Sequence, residues 1–167
     1  MTFLQQVQDT APNHGRDLLE RLADENGWHL EHRLNGDMVM ETTGDHGTYS
    51  IQFSWSAEYQ SLHITCSMDL CLPISNGAQI HDLLASINSK LWIGHFAVMS
   101  GGNQPAFRQT VLMIGPDNAK SQEIQEIIET AIGECDRFYP AFQFAGINGM
   151  PGHDAMTCAL MECVGEA

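Results

Sequence analysis

The chain has 167 residues, 43% of them hydrophobic and 17% charged, which suits one ordinary core and leaves too little for two. Seven Lys and Arg stand against 21 Asp and Glu, a formal net charge of −14. With no basic cluster to reverse it locally, that balance argues against a nucleic-acid backbone or an anionic lipid surface as partner. No uncharged apolar run approaches the ~18 residues of a membrane span, and the first ten residues lack the basic flank and apolar run of a secretory signal. Five cysteines, Cys66, Cys71, Cys135, Cys158 and Cys163, are an odd number in a chain too large to need staples. Reduced thiols in a cytoplasm are the economical reading.

Taken in chain order, residues 1–11 read as a flexible lead-in to a single domain. Helical spacing begins around Leu18, Leu19, Leu22 and Ala23 and stops at Asn26-Gly27, with Gly at the usual helix-ending position. The period then becomes two. Residues 28–34 and 38–42 predict a hairpin turned by Asn35-Gly36, a pair that tolerates the positive φ of a tight turn. Tyr49, Ile51, Phe53 and Trp55 alternate with Ser50, Gln52 and Ser54. Leu62, Ile64, Cys66, Met68 and Leu70 alternate with His63, Thr65, Ser67 and Asp69. Such runs mark strands with one buried and one wet face, and residues 57–60 join them as a second hairpin.

After Pro73, Asn76 and Gln79 predict a capping box, and Ile80, Leu83, Leu84, Ile87, Leu91 and Trp92 a continuous apolar stripe. Strands are expected over 95–99 and 107–114. Ile124, Ile127, Ile128, Ala131, Ile132, Cys135, Phe138, Tyr139 and Phe142 define a long third helix that Pro140 should kink or end. In the C-terminal stretch 150–167, a short helix is expected over 154–164. The order α-β-β-β-β-α-β-β-α-α implies an α+β fold, an antiparallel sheet with helices packed on one face.

The chain has no phosphate-cradling glycine motif, no Gly-x-Ser-x-Gly elbow, no His-Glu-x-x-His, no Cys-x-x-Cys and no EF-hand loop, so the common mechanisms that need those geometries are excluded. No catalytic residue and no cofactor is expected. His29 and His32 are three apart on an expected strand and point to opposite faces. His153, Cys158 and Cys163 are the better metal or redox candidates, yet free cysteines are most often small buried hydrophobes. The serines of the wet sheet face, with His63 and Asp69, nominally offer a nucleophile and a base, although open sheet faces are usually polar because water touches them. Nine methionines suit core gaps as well as binding surfaces, the latter chiefly at Met150, Met156 and Met161.

The run Ile87-Asn-Ser-Lys-Leu-Trp-Ile-Gly-His-Phe96, the later Phe107-Arg108, the stretch Glu134-Cys-Asp-Arg-Phe-Tyr-Pro-Ala-Phe-Gln-Phe144 and the ending Val164-Gly-Glu-Ala167 resemble the YbjN-like family of bacterial sensory transduction regulators. The likeness runs from about residue 12 to the C-terminus. It implies a fold similar to type III secretion chaperones, usually dimeric, which hold an extended partner segment along their surface. Gly146-Ile147-Asn148-Gly149 departs from the apolar aromatic stretch expected there, so the C-terminal elements are expected to dock differently.

The leading expectation is therefore a homodimeric, non-catalytic protein-binding module of adaptor, chaperone-like or regulatory character, with an unknown protein partner. Trp92, Phe96, Arg108, Phe138, Tyr139 and Phe142 are the residues expected to shape its protein-binding junction. Core packing competes as a reading for each aromatic, and Arg108 is expected to pair with a carboxylate or carbonyl of this chain or of a partner. The alternatives are a metal- or redox-responsive sensor built on His153, Cys158 and Cys163, and an enzyme on the polar sheet face.

Overall fold

The alternation of large and small side chains between Tyr49 and Met68 builds the centre of the molecule. A computed structural model describes residues 14–100, 103–114 and 116–165, with all their side chains except those of 14, 118 and 162–165. The two alternating runs form β3 (Thr48–Ser56) and β4 (Ser61–Met68), paired antiparallel from Tyr49↔Met68 to Ser56↔Ser61. Tyr49, Ile51, Phe53, Leu62, Ile64, Cys66 and Met68 are all buried on one face. β2 (Met38–Thr43) pairs with β3, and β1 (Glu31–His32) with β2. On the other side β6 (Gln104–Leu112) pairs with β4, and β5 (His95–Met99) lies outermost. The result is a six-stranded antiparallel sheet of order β1-β2-β3-β4-β6-β5.

The helices are α1 (His14–Asn26), α2 (Gly77–Asn88), α3 (Asp117–Phe142) and α4 (Gly152–Gly165), so both the α+β class and the order of elements match the expectation. They pack against the apolar face. Gly15 of α1 lies against the Trp55 ring, Cys135 of α3 touches Cys66, and Phe96 of β5 meets Phe138 and Phe142 of α3. Ser50, Gln52, Ser54, His63, Thr65 and Ser67 project from the opposite side, as their phase in the strands predicts. The expected lead-in over 1–11 and the Gly101-Gly102 turn lie outside the described residues.

Four local expectations are corrected. The first hairpin is shorter than predicted, with β1 only two residues long. Its turn spans Arg33 to Gly36, closed by Gly36 N donating to Arg33 O (2.9 Å) and Arg33 N to Asp37 O (2.8 Å). Gly36 has φ +88° while Asn35 stays at negative φ, so a two-residue turn with both residues left-handed does not form; the Asn35 side chain instead accepts from Asp37 N. The capping box is also absent: Asn76 makes no side-chain cap and donates to the Gly146 carbonyl at 2.7 Å. Tying the α2 start to the end of α3 outweighs one local cap.

Helix α2 ends at Asn88, so the apolar stripe does not extend to Trp92. Pro140 does not end α3 at once. The helix runs on to Phe142 and widens into a π turn, Gln143–Ile147, the register change expected near a missing backbone donor. In that turn Gly146 abuts the Leu72 side chain, whose terminal methyl would have to shift to admit a Cβ, and Gly149 has φ +68°. The departure at 146–149 thus has a local structural reason.

Asp136 on α3 ties the helix to the β2–β3 turn. Its Oδ1 accepts from Tyr49 Oη (2.5 Å), Asp45 N (2.8 Å) and His46 N (3.3 Å). Burial, reinforced by the bond to Asp136, pushes the Tyr49 phenol above its ordinary pKa. Nearby, the Cys135 thiol is pushed up by its bond to Cys66 and by burial. A raised folded pKa contributes stability below the unfolded value, which is lost as pH climbs toward the folded one, because the unfolded chain then gives up a proton that the native state keeps. Stability should therefore be insensitive to both groups below about pH 8 and should decline above about pH 9. Urea denaturation across that range checks the decline, and Tyr49→Phe should flatten its upper part.

Candidate functional site

The six residues singled out in the sequence separate into a buried group of four, the exposed Trp92 and the half-buried Arg108. Phe96, Phe138 and Phe142 are fully buried and Tyr139 nearly so. Phe96 is their hub, with ring centroids 5.6 Å from Phe107, 5.8 Å from Phe138 and 5.5 Å from Phe142. The first two pairs are edge-to-face, the geometry that ring quadrupoles favour. Tyr139 stacks on His46 at 5.8 Å, and its hydroxyl donates to the Asp69 carbonyl at 3.4 Å. These four rings support the surface above them rather than form it.

Trp92 does form surface. Core packing, the competing reading for it, does not hold: the residue is 78% exposed. It sits in the short link between α2 and β5, and both ends of that link are fastened. At the α2 end, Ser89 N donates to Ala85 O and Lys90 N to Ile87 O. At the β5 end, Asn88 grips the backbone of Phe96 twice, Oδ1 accepting from Phe96 N (2.7 Å) and Nδ2 donating to Phe96 O (3.0 Å). Gly94 (φ +66°) brings the chain so close to Phe107 and the Arg108 carbonyl that a Cβ would collide. Leu91 and Ile93 pack partly on the core on either side of Trp92. The indole is therefore presented from a pinned loop.

The Asn88 clamp has a second effect. β5 is an edge strand, and Asn88 occupies the outward backbone groups of Phe96 that could otherwise template another chain. Nothing in the sequence marks Asn88 for this role, since Asn near a helix end reads as a simple stop.

Arg108 lies half-buried on the open sheet face, directly across from Thr65 and beside His95. It makes no side-chain hydrogen bond or ion pair among the described residues, so the expected pairing within the chain is not seen. His63, also on that face, is held between two hydroxyls: Nδ1 is 2.9 Å from Thr110 Oγ1 and Nε2 3.4 Å from Ser61 Oγ. Asp69 stands six residues along the strand, roughly 20 Å away at ~3.3 Å per residue, so Ser, His and Asp are not gathered into a triad. Among the described residues no group of three His, Cys, Asp or Glu could hold a metal ion. Cys158 is half-buried, and the Cys163 side chain lies outside the described residues. No helix among those residues is long and apolar enough to cross a membrane.

Compared with protein families, residues 15–144 match the YbjN model, described as "Putative bacterial sensory transduction regulator". The chain belongs to the YbjN family. The YbjN match takes in the sheet, α1 to α3 and the first residues of the π turn, and stops short of α4. It includes Trp92, Asn88, Arg108 and Asp136. No curated protein and no solved structure gives a significant match.

Proposed function

We propose that this YbjN protein is a non-catalytic regulatory or adaptor module, a single domain acting as a homodimer in the cytoplasm, and that it works by binding another protein through Trp92. The observation that carries the reading is an indole 78% exposed on a loop fastened at both ends. Tryptophan is enriched at the energetic centres of interfaces, and a pinned loop gives up little further entropy on binding. Lys90 and His95 flank it, and both are exposed, in a protein that is otherwise strongly acidic. The family description supports regulation, and the surface is compatible with chaperone-like holding of an extended segment. Phe96, Phe138, Tyr139 and Phe142 serve binding indirectly, as the base on which the loop rests.

Crosslinked pull-down from the native cytoplasm, comparing the wild type with Trp92→Ala, tests the proposal. The expected outcome is a specific partner captured by the wild type and reduced at least ~10-fold by the variant, the loss of about 1.4 kcal/mol or more that truncating an interface centre brings. Because Trp92 is exposed, the variant should unfold within about 0.5 kcal/mol of the wild type. Equal capture by both would reject the loop as the binding site.

A further inference from the structure

We propose that the open face of the sheet is the homodimer interface, two copies packing face to face about a two-fold axis parallel to the strands. The proposal rests on the homodimer reading above and adds to it a surface and a charge code. Its starting point is Arg108. Among the described residues, four of the seven Lys and Arg have carboxylate partners: Arg21 with Asp117, Arg33 with Glu31, Lys120 with Glu123, and Arg137 with Glu134. Arg108 has none among the described residues, although the chain carries 21 acids.

The charges on this face are segregated. One lateral row runs His95, Arg108, Thr65, Gln52, Val39, Glu31 through the paired strands. The next runs Ala97, Ala106, Ser67, Ser50, Glu41. The β4-β6-β5 half thus carries Arg108, with a single acid, Asp69, beyond the end of β4. The β1-β2 half carries Glu31 and Glu41, with Asp37 beside Gln52 at 2.7 Å and Arg33 held on Glu31 at 3.7 Å.

A two-fold axis along the strands through the middle of the sheet exchanges the halves. It sets β6 over the other copy's β2 and β5 over its β1. Arg108 then stands one diagonal step from Glu41, and the His95 imidazole faces Glu31 within reach of a hydrogen bond. An axis across the strands would instead set Arg108 against Arg108. Charge complementarity therefore selects both a second copy as occupant and the direction of the axis.

The centre of the face permits close approach. Ser50, Ser54, Ser67, Ala97 and Ala106 are short, so two sheets can approach the ~10 Å separation of a sandwich without bulky polar side chains in the way. Six strands at ~4.8 Å spacing and ~20 Å of length give about 500 Å² per copy. The pair buries on the order of 1,000 Å², at the lower end for specific complexes, so the dimer should be salt-sensitive and of modest affinity. This is also the part of a strongly acidic surface where two copies meet with attraction in place of repulsion.

Sedimentation equilibrium of the full chain tests the interface. The wild type should be dimeric, Arg108→Glu should raise the dimer Kd at least ~10-fold, Glu41→Arg should do likewise, and the double variant should return to within about threefold of the wild type. Circular dichroism confirms that each variant is folded. Should Arg108→Glu fail to fold, the wild type alone decides: raising NaCl from about 50 to about 500 mM should weaken the dimer about tenfold or more. A monomeric wild type would overturn this proposal and the homodimer reading together. A dimer indifferent to charge reversal and to salt would overturn the face alone. Disruption by single reversals without rescue by the double would overturn the Arg108–Glu41 pairing and with it the axis along the strands.

Discussion

Phe96→Ala should lower the free energy of unfolding by about 3–5 kcal/mol, the usual cost of deleting a buried aromatic ring. Phe96 is 2% exposed and stands at the meeting of β5, β6 and α3, with Phe107, Phe138 and Phe142 around it. The backbone of β5 is tied to β6 on one side and held by Asn88 on the other, so the walls cannot close on the space left behind, and the cost should fall in the upper part of the range. Phe96→Leu keeps most of the apolar volume and should lose less than half as much. Urea denaturation of the three proteins checks the order. Hydrogen exchange adds a second reading: amides of β5 and of the Trp92 loop should lose protection before those of β3 and β4, because the ring anchors their local stability.

Asp136→Ala is expected to cost about 2–4 kcal/mol. The carboxylate accepts three hydrogen bonds at one oxygen, each charge-assisted bond contributing about 1.5–3 kcal/mol before losses overlap. Removal leaves the Tyr49 hydroxyl partly buried without its acceptor, and a stranded buried donor costs about 1–3 kcal/mol. Gly44 lies so close to the Asp136 oxygens and the Tyr49 ring that a Cβ added at this position would intrude, which shows how tightly the turn wraps the carboxylate. Asp136→Asn keeps the accepting oxygen and should cost about 1 kcal/mol. The double-mutant cycle with Tyr49→Phe should return a coupling energy of about 1 kcal/mol or more; additivity would show that the clamp contributes nothing beyond packing.

The sheet was legible because its strands alternate cleanly. From Tyr49 to Trp55 and again from Leu62 to Met68 every second residue is apolar, and a slip of one position would turn either set to water. The α3 stripe was legible for the same reason, at period 3.6. Legibility failed where tertiary partners override local signals. Asn76 looks like a cap and instead holds the Gly146 carbonyl across 70 positions. Asn35-Gly36 suggests a two-residue turn, but Asn35 finds a better bond to Asp37 N.

Trp92 shows the limit most plainly for the candidate site. It continues the spacing of Ile80, Leu83 and Ile87, so periodicity places it in the core. The helix stops at Asn88, whose side chain is engaged with Phe96, and the stripe beyond that point has no helix to carry it. Asp136 carried no signal at all, being one carboxylate among 21 acids. The arrangement on the open face could be seen only once the pairing of β6 with β4 and β5 put Arg108 and His95 in one row with Glu31.

The claim on which the functional account depends is that a pinned, exposed Trp92 is where another protein docks. Hydrogen–deuterium exchange of the wild type, alone and with its purified crosslinked partner, addresses it most directly. Binding there should slow exchange by about tenfold or more over residues 89–95, with Trp92→Ala abolishing the effect. Protection confined to the α3 surface, with residues 89–95 unchanged, would contradict the account.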